Sequence, residues 1–340
     1  MAATGAGGTN GGGAMRGAAR WDERSRFLVA PAALVVLWAG FSLFNPYFFG
    51  LSNFLNVAGQ FSLLLIVSLG EMIVIVARGF DISVGAVAAL ASVAAALAVN
   101  AVGPWGLLAA PLAGLACGMT NGLLVAYGRV QPIISTIGML SFARGLALWL
   151  GGNEQAVMLT RSDGSLQFAY RSFAGVPLPF FAALAAALAA ALLLYRTRLG
   201  RRIYMVGSNP GSAELVGVPV RATVAASYAL CGLAAGSAGA LYLSRASAGL
   251  STEGAGLELQ AIASAVIGGT ALTGGVGNPA AVVAGAFFIQ SLFNGLNMSG
   301  ASPFAANLAM GGVIAVAGLL DFALRRMTGT GNPATGGGSP

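Results

Sequence analysis

Ten apolar runs of 14 to 24 residues follow one another along this chain, separated by short polar breaks. An α-helix rises 1.5 Å per residue, so about 20 apolar residues cross the roughly 30 Å core of a bilayer. Runs of this length in this number constrain the fold more than any other feature. The remaining surface could not be soluble: charged residues make up 8% of the chain, against roughly 25% in globular proteins. The expected fold is therefore an all-α polytopic membrane protein, one domain of about ten transmembrane helices.

The runs are Phe27 to Phe44, Phe54 to Ala77, Ser83 to Val99, Gly106 to Tyr127, Ile133 to Leu150, Leu178 to Tyr195, Ala222 to Leu243, Leu259 to Leu272, Ala280 to Leu296 and Phe304 to Leu324. The eighth is short and Gly-rich. The first is long for a signal-peptide core and lacks a small-x-small cleavage site after it, so it is expected to remain as an anchor. Residues 1–26 and 327–340, rich in Gly, Ala, Thr and Asn, are expected to be disordered cytoplasmic tails flanking a transmembrane domain at 27–326.

Arginine sets the expected orientation. With the N-terminus inside, thirteen arginines fall in cytoplasmic segments and three outside, leaving Arg144 alone within a span. Both termini are expected in the cytoplasm. The segment 196–221 holds five arginines, Arg196, Arg198, Arg201, Arg202 and Arg221, and is expected on the same side.

All seventeen basic residues are arginine; lysine and histidine are absent. That removes the P-loop lysine, the histidine metal ligand or proton shuttle, and the Schiff-base lysine. No catalytic, metal or cofactor site is expected. Cys117 and Cys231 fall inside runs and read as small packing residues rather than a disulfide. The net charge of +7 is accounted for by topology, so nucleic acid is not an expected partner.

A faint internal repeat runs through the chain at offsets of 171 to 173 residues. Asn121-Gly122-Leu123 before Pro132 answers Asn294-Gly295-Leu296 before Pro303, and Asp81 falls opposite Glu253. The paired spans run in opposite directions in the expected topology, as an inverted repeat requires. Stretches such as G-L-A-A-G-S-A-G-A at 232–240 supply small faces that let helices approach closely in lipid.

Polar residues near or within spans are the candidate substrate-pathway residues: Glu71, Asp81, Asn121, Arg144 and Asn294. An intramembrane carboxylate is costly, although Glu71 could snorkel to the interface. Asp81 could pair with Arg78, or simply cap the next helix. Arg144 could pair with Glu71 or face the substrate path.

The basic segment also carries helix punctuation. Asn209 is a candidate N-cap, Pro210 fits the first helical position, Gly217 the αL position and Pro219 a stop. These predict a helix of about two turns from Pro210 to Val216, below the roughly 12 residues that hold alone in water. The membrane surface, through Ala213, Leu215 and Val216, or a protein partner must hold it.

Four blocks resemble the permease subunits of bacterial ATP-binding cassette (ABC) importers for monosaccharides, the ribose, xylose and galactose type. They are G-F-D-I-S-V-G at 79–85, N-G-L-L-V-A-Y-G-R-V-Q-P-I-I-S-T-I-G-M-L-S-F-A-R-G at 121–145, G-R-R-I-Y-M-V-G-S-N-P-G-S-A-E-L-V-G-V-P-V at 200–220, and A-I-A-S-A-V-I-G-G-T-A-L-T-G-G-V-G at 261–277. Arg78 stands where that family usually has a small residue, and Ile82 replaces Leu.

The resemblance implies a permease half that dimerises around a pathway in the bacterial inner membrane, receives sugar from a periplasmic binding protein and is driven by a separate cytoplasmic ATPase. It also implies a coupling helix in the 196–221 loop. Carried onto this sequence, the ATPase contact falls at Ser208, Asn209, Ala213, Glu214 and Gly217, flanked by Arg201 and Arg202. The substrate expected is a pentose, hexose or polyol. A branched-chain amino acid or nucleoside permease, or an ion-coupled secondary transporter, are the alternatives; a membrane enzyme lacks a nucleophile and base pair.

Overall fold

The computed structural model describes residue 27, residues 30–160, residues 166 and 168, and residues 171–328; of the expected tails at 1–26 and 327–340, residues 1–26 and 329–340 lie outside the described residues. The helices are α1 (Ala30–Phe44), α2 (Leu51–Val76), α3 (Val84–Val102), α4 (Ala109–Ala126), α5 (Pro132–Leu150), α6 (Leu178–Arg196), α7 (Arg198–Ser208), α8 (Pro210–Leu215), α9 (Val220–Ala246), α10 (Leu257–Ile267), α11 (Pro279–Met298) and α12 (Pro303–Thr328). The last continues two residues past the boundary expected for the C-terminal tail. Proline opens α5, α8, α11 and α12, where its missing N–H costs nothing.

Among the described residues, six segments are long and apolar enough to cross a membrane, with Val84–Ala126 counted as one. Ala30–Phe44, Leu257–Ile267 and Phe304–Val313 are shorter apolar helices. The expected apolar runs correspond in order to α1–α6 and α9–α12.

Among the described residues, the fold departs from the all-helical expectation in two antiparallel ribbons. β1 (Ala156–Met158) pairs with β4 (Ala248–Leu250), Val157 opposite Gly249. β2 (Ser172–Phe173) pairs with β3 (Val176–Pro177).

Small residues decide how the central helices meet. Gly114, Gly118 and Gly122 of α4 lie against Gly236, Gly232 and Ala225 of α9, and a Cβ on Gly118 would stand 2.3 Å from the Tyr228 carbonyl oxygen. Lipid tails are as apolar as leucine, so close backbone packing, not hydrophobic burial, holds such a pair. α2, α3 and α4 surround α9. At the margin, Trp38 of α1 stacks on Phe287 of α11 at 6.0 Å and donates to Ser291 Oγ at 2.9 Å.

Two connections fold back into the bundle. After α2 the chain turns at Arg78, and the Gly79 N–H donates to the Val74 carbonyl at 2.9 Å. After α9, β4 descends along α3, with Gly249 against Ser92 and Val93, and Gly254 then meets Gly85. Gly254 shares a cavity lining with Leu64, midway along the 26-residue α2. The N-termini of α3 and α10 thus meet about halfway through the bundle. From there α10, 11 residues long and so about 16 Å, covers only the half leading toward α7. The 275 turn beyond it bonds to α2, Gly275 N–H to Val76 carbonyl at 2.9 Å.

Candidate functional site

Three arrangements hold the chemistry. The first is a buried polar network uniting α2, α4, α5 and α9 with the loop before α3. Ser83 donates to Asp81 Oδ1 through both its N–H (2.9 Å) and its hydroxyl (2.5 Å). Asn121 Nδ2 donates to Ser83 Oγ at 3.1 Å and lies 3.5 Å from Asp81 Oδ2, and its own carbonyl accepts from Ser135 Oγ at 3.2 Å. The Asp81 N–H donates to Glu71 Oε1 at 3.2 Å, and Cys231 Sγ sits 3.8 Å from Glu71 Oε2. Glu71, Asp81 and Asn121 are all buried. Satisfying such groups internally is what makes their burial tolerable.

Several sequence expectations are corrected here. Glu71 does not snorkel; it is fully enclosed. Asp81 pairs with neither Arg78 nor the helix: α3 takes Ser83 as its N-cap, with no side-chain cap bond, and Asp81 instead closes a local turn onto Ser83. Arg144 does not reach Glu71. It is on α5 and donates from Nη1 to the carbonyls of Ser251 and Glu253, at 2.5 and 2.8 Å, fixing the loop that leads to α10. Asn294 stands apart from all of these on α11, and among the described residues its buried Oδ1 has no hydrogen-bond partner.

The second arrangement is the α7–α8 elbow. The predicted punctuation is realised: Asn209 Oδ1 accepts from the Ser212 N–H at 3.0 Å, Pro210 opens α8, and Gly217 adopts φ 79°. Ala213 is buried, whereas Leu215 is 90% and Val216 68% exposed. Arg201, Arg202, Ser208, Asn209, Glu214 and Gly217 are exposed along the same elbow. Its base is pinned. Arg78 donates from Nε to the Gly207 carbonyl at 2.7 Å and from Nη2 to the Ser208 carbonyl at 2.9 Å. Tyr204 Oη donates to the Gly277 carbonyl at 2.7 Å; burial, with Tyr195 nearby, pushes this phenol upward and keeps it a donor at physiological pH.

The third is a polar cavity of about 340 Å³ between α2, α9, α10 and α11, at the lower end of the range for small-molecule sites. Gln60, Gln260, Gln290, Arg245, Thr252 and Glu253 line it. Gln290 Nε2 donates to Gln60 Oε1 at 2.9 Å across α11 and α2. A smaller cavity of about 180 Å³ shares Gln60, Leu63 and Arg245 and extends to Asn56, near the start of α2. None of the five expected pathway residues lines either cavity.

Residues 53–320 match the family described as branched-chain amino acid transport system / permease component. The ribose import permease protein RbsC of Escherichia coli K12 is 38% identical over 305 residues, 88% of this chain and 94% of the relative. The chain belongs to the monosaccharide ABC importer permease family. The D-allose transport system permease protein AlsC of the same strain is 34% identical over 88% of this chain and 92% of its own length, and the L-arabinose transport system permease protein AraH is 30% identical over 88% and 90%. No solved structure matches the permease.

Sequence reasoning missed two parts of this permease. α7 is a helix, capped by Thr197 Oγ1 accepting from the Gly200 N–H at 3.1 Å; the signal was the apolar spacing of Leu199, Ile203 and Val206 beneath the arginines. The cavity was missed too. Gln60 and Gln290 interrupt long apolar runs, which is the signature of an intramembrane polar site even without charge.

Proposed function

We propose that this multi-pass permease carries a monosaccharide across the bacterial inner membrane by alternating access, on energy supplied by a separate ATPase. The sugar class comes from the relatives named for ribose, D-allose and L-arabinose. In this reading all ten apolar helices lie in the membrane, both termini and the α7–α8 elbow are cytoplasmic, and a second permease subunit completes the pathway. A soluble periplasmic binding protein delivers sugar at the opposite end. The two halves form an inverted repeat, a reading supported by the reciprocal contact of Gly85 with Gly254 where the two half-depth helix starts meet.

The observation that carries the proposal is α8: six residues, capped at both ends, with Leu215 and Val216 projecting from it. So short a helix is marginal alone, and an exposed apolar knob on a pinned elbow suits insertion into a partner's cleft. ATPase closure would then push α8 against α2 and the 275 turn through Arg78 and Gly275.

The test is reconstitution with a separate ABC ATPase and a sugar-binding protein from the same organism. The expected result is sugar uptake that needs ATP, survives an uncoupler, and is lost together with ATPase association in Leu215→Asp. An ion-coupled carrier would instead stop with the uncoupler.

A further inference from the structure

The geometry points to a transient binding site for a neutral polyhydroxylated solute inside a single protomer, built by Gln60, Gln260, Gln290, Thr252, Glu253 and Arg245 in the half of the bundle opposite α8. This inference rests on the importer reading above and places the sugar within it.

Depth is the first argument. Leu64 lies midway along α2, Gln60 a turn nearer its start and Arg245 in the last turn of α9, so the cavity reaches from mid-bundle toward the end opposite α8, and its floor is the Gly254 segment where α10 begins. Unwound backbone at this depth is tolerated where it lines a cavity. This backbone is held in place from outside the cavity: Arg144 grips the Ser251 and Glu253 carbonyls, and the Gly85–Gly254 contact leaves no room for a side chain at either position. Arg144 is therefore a positioning residue for the site.

Chemistry is the second. A side-chain amide has two donor hydrogens and two acceptor lone pairs, and the Gln60–Gln290 bond engages one donor and one acceptor of the pair. Capacity of both kinds remains, which matches hydroxyls that both donate and accept. Glu253 and Arg245 add one charge of each sign, favouring a solute without net charge.

Access is the third. The smaller cavity runs on from Gln60 and Arg245 to Asn56, close to the end of the bundle opposite α8. Apart from this extension the larger cavity's apolar lining includes Leu64 and Leu257, both buried. The site thus faces the side from which a binding protein would release sugar.

The test uses the full permease with its ATPase and binding protein in proteoliposomes. In Ala255→Cys, a lining position outside the proposed polar set, an impermeant thiol reagent added from the side opposite α8 should label the new cysteine. D-ribose, D-allose or L-arabinose, whichever the vesicles transport, should slow labelling at least about threefold, and leucine should not. Gln60→Leu with Gln290→Leu should cut sugar moved per ATP about tenfold while binding-protein-stimulated hydrolysis continues. Wild-type transport by that double variant, or labelling unaffected by the transported sugar, overturns the site while leaving the importer reading intact. Protection by leucine overturns it in favour of a zwitterion site. Wild-type vesicles that move no sugar and show no stimulated hydrolysis overturn the importer reading, and the site with it.

Discussion

Arg78, held in the left-handed region at φ 68°, donates to the Gly207 carbonyl at 2.7 Å and so ties the end of α2 to the end of α7, one residue pair away from α8. A guanidinium-to-carbonyl bond of this kind contributes about 1.5–3 kcal/mol when intact. Its left-handed backbone costs an L-residue about 1–2 kcal/mol. Arg78→Gly should therefore melt higher than Arg78→Ala in detergent, by the equivalent of about 1 kcal/mol, because it relieves that strain. Both should lower sugar moved per ATP several-fold. Equal melting of the two variants would contradict the strained backbone.

The α4–α9 seam should be intolerant of size. A Cβ on Gly118 would enter the Tyr228 carbonyl at 2.3 Å, whereas one on Gly138 would meet nothing within 4 Å. Overpacking costs about 1–3 kcal/mol and more against backbone. Gly118→Val should lose most of the monodisperse protein in size-exclusion chromatography, and Gly138→Ala should match wild type.

Asn121 is the hub of the buried network, bonded to Ser83 and Ser135 and close to Asp81. Asn121→Leu would strand those partners, each at a cost of about 1–3 kcal/mol. A marked fall in thermal stability is expected. Simultaneous replacement of Asp81, Ser83 and Ser135 by apolar residues should recover part of it.

Much of the fold could be read from residue order, because what positions it is local. Asn209, Pro210 and Gly217 predict α8 within a residue, and the apolar runs locate the long helices. What escaped is long-range or backbone-borne. The partners of Arg78 and Arg144 are carbonyls, which every residue has, so charge pointed instead to Asp81 and Glu71. The re-entrant turn before α10 depends on Gly254 meeting Gly85, a contact between distant segments. α7 hid beneath its arginines, whose topological meaning drew the eye from Leu199, Ile203 and Val206. Gln60 and Gln290 carry no charge and passed as polar interruptions.

Arg201 and Arg202 project from α7 beside the elbow. Exposed charges of this kind steer association more than they stabilise it. Arg201→Glu with Arg202→Glu should weaken ATPase association and uncouple transport, with binding-protein docking unchanged in a pull-down assay. Loss of docking as well would mean that the variant had disturbed the fold.

In the importer reading, α8 receives work from a partner that hydrolyses ATP. The most direct measurement is ATP hydrolysis and sugar uptake in the same proteoliposomes, for the permease alone, for the assembled importer, and for the importer bearing Leu215→Asp. The expected results are no hydrolysis by the permease alone, stimulated hydrolysis with uptake in the assembly, and loss of uptake in the variant. Hydrolysis by the isolated chain, or uptake unaffected by Leu215→Asp, would contradict that reading.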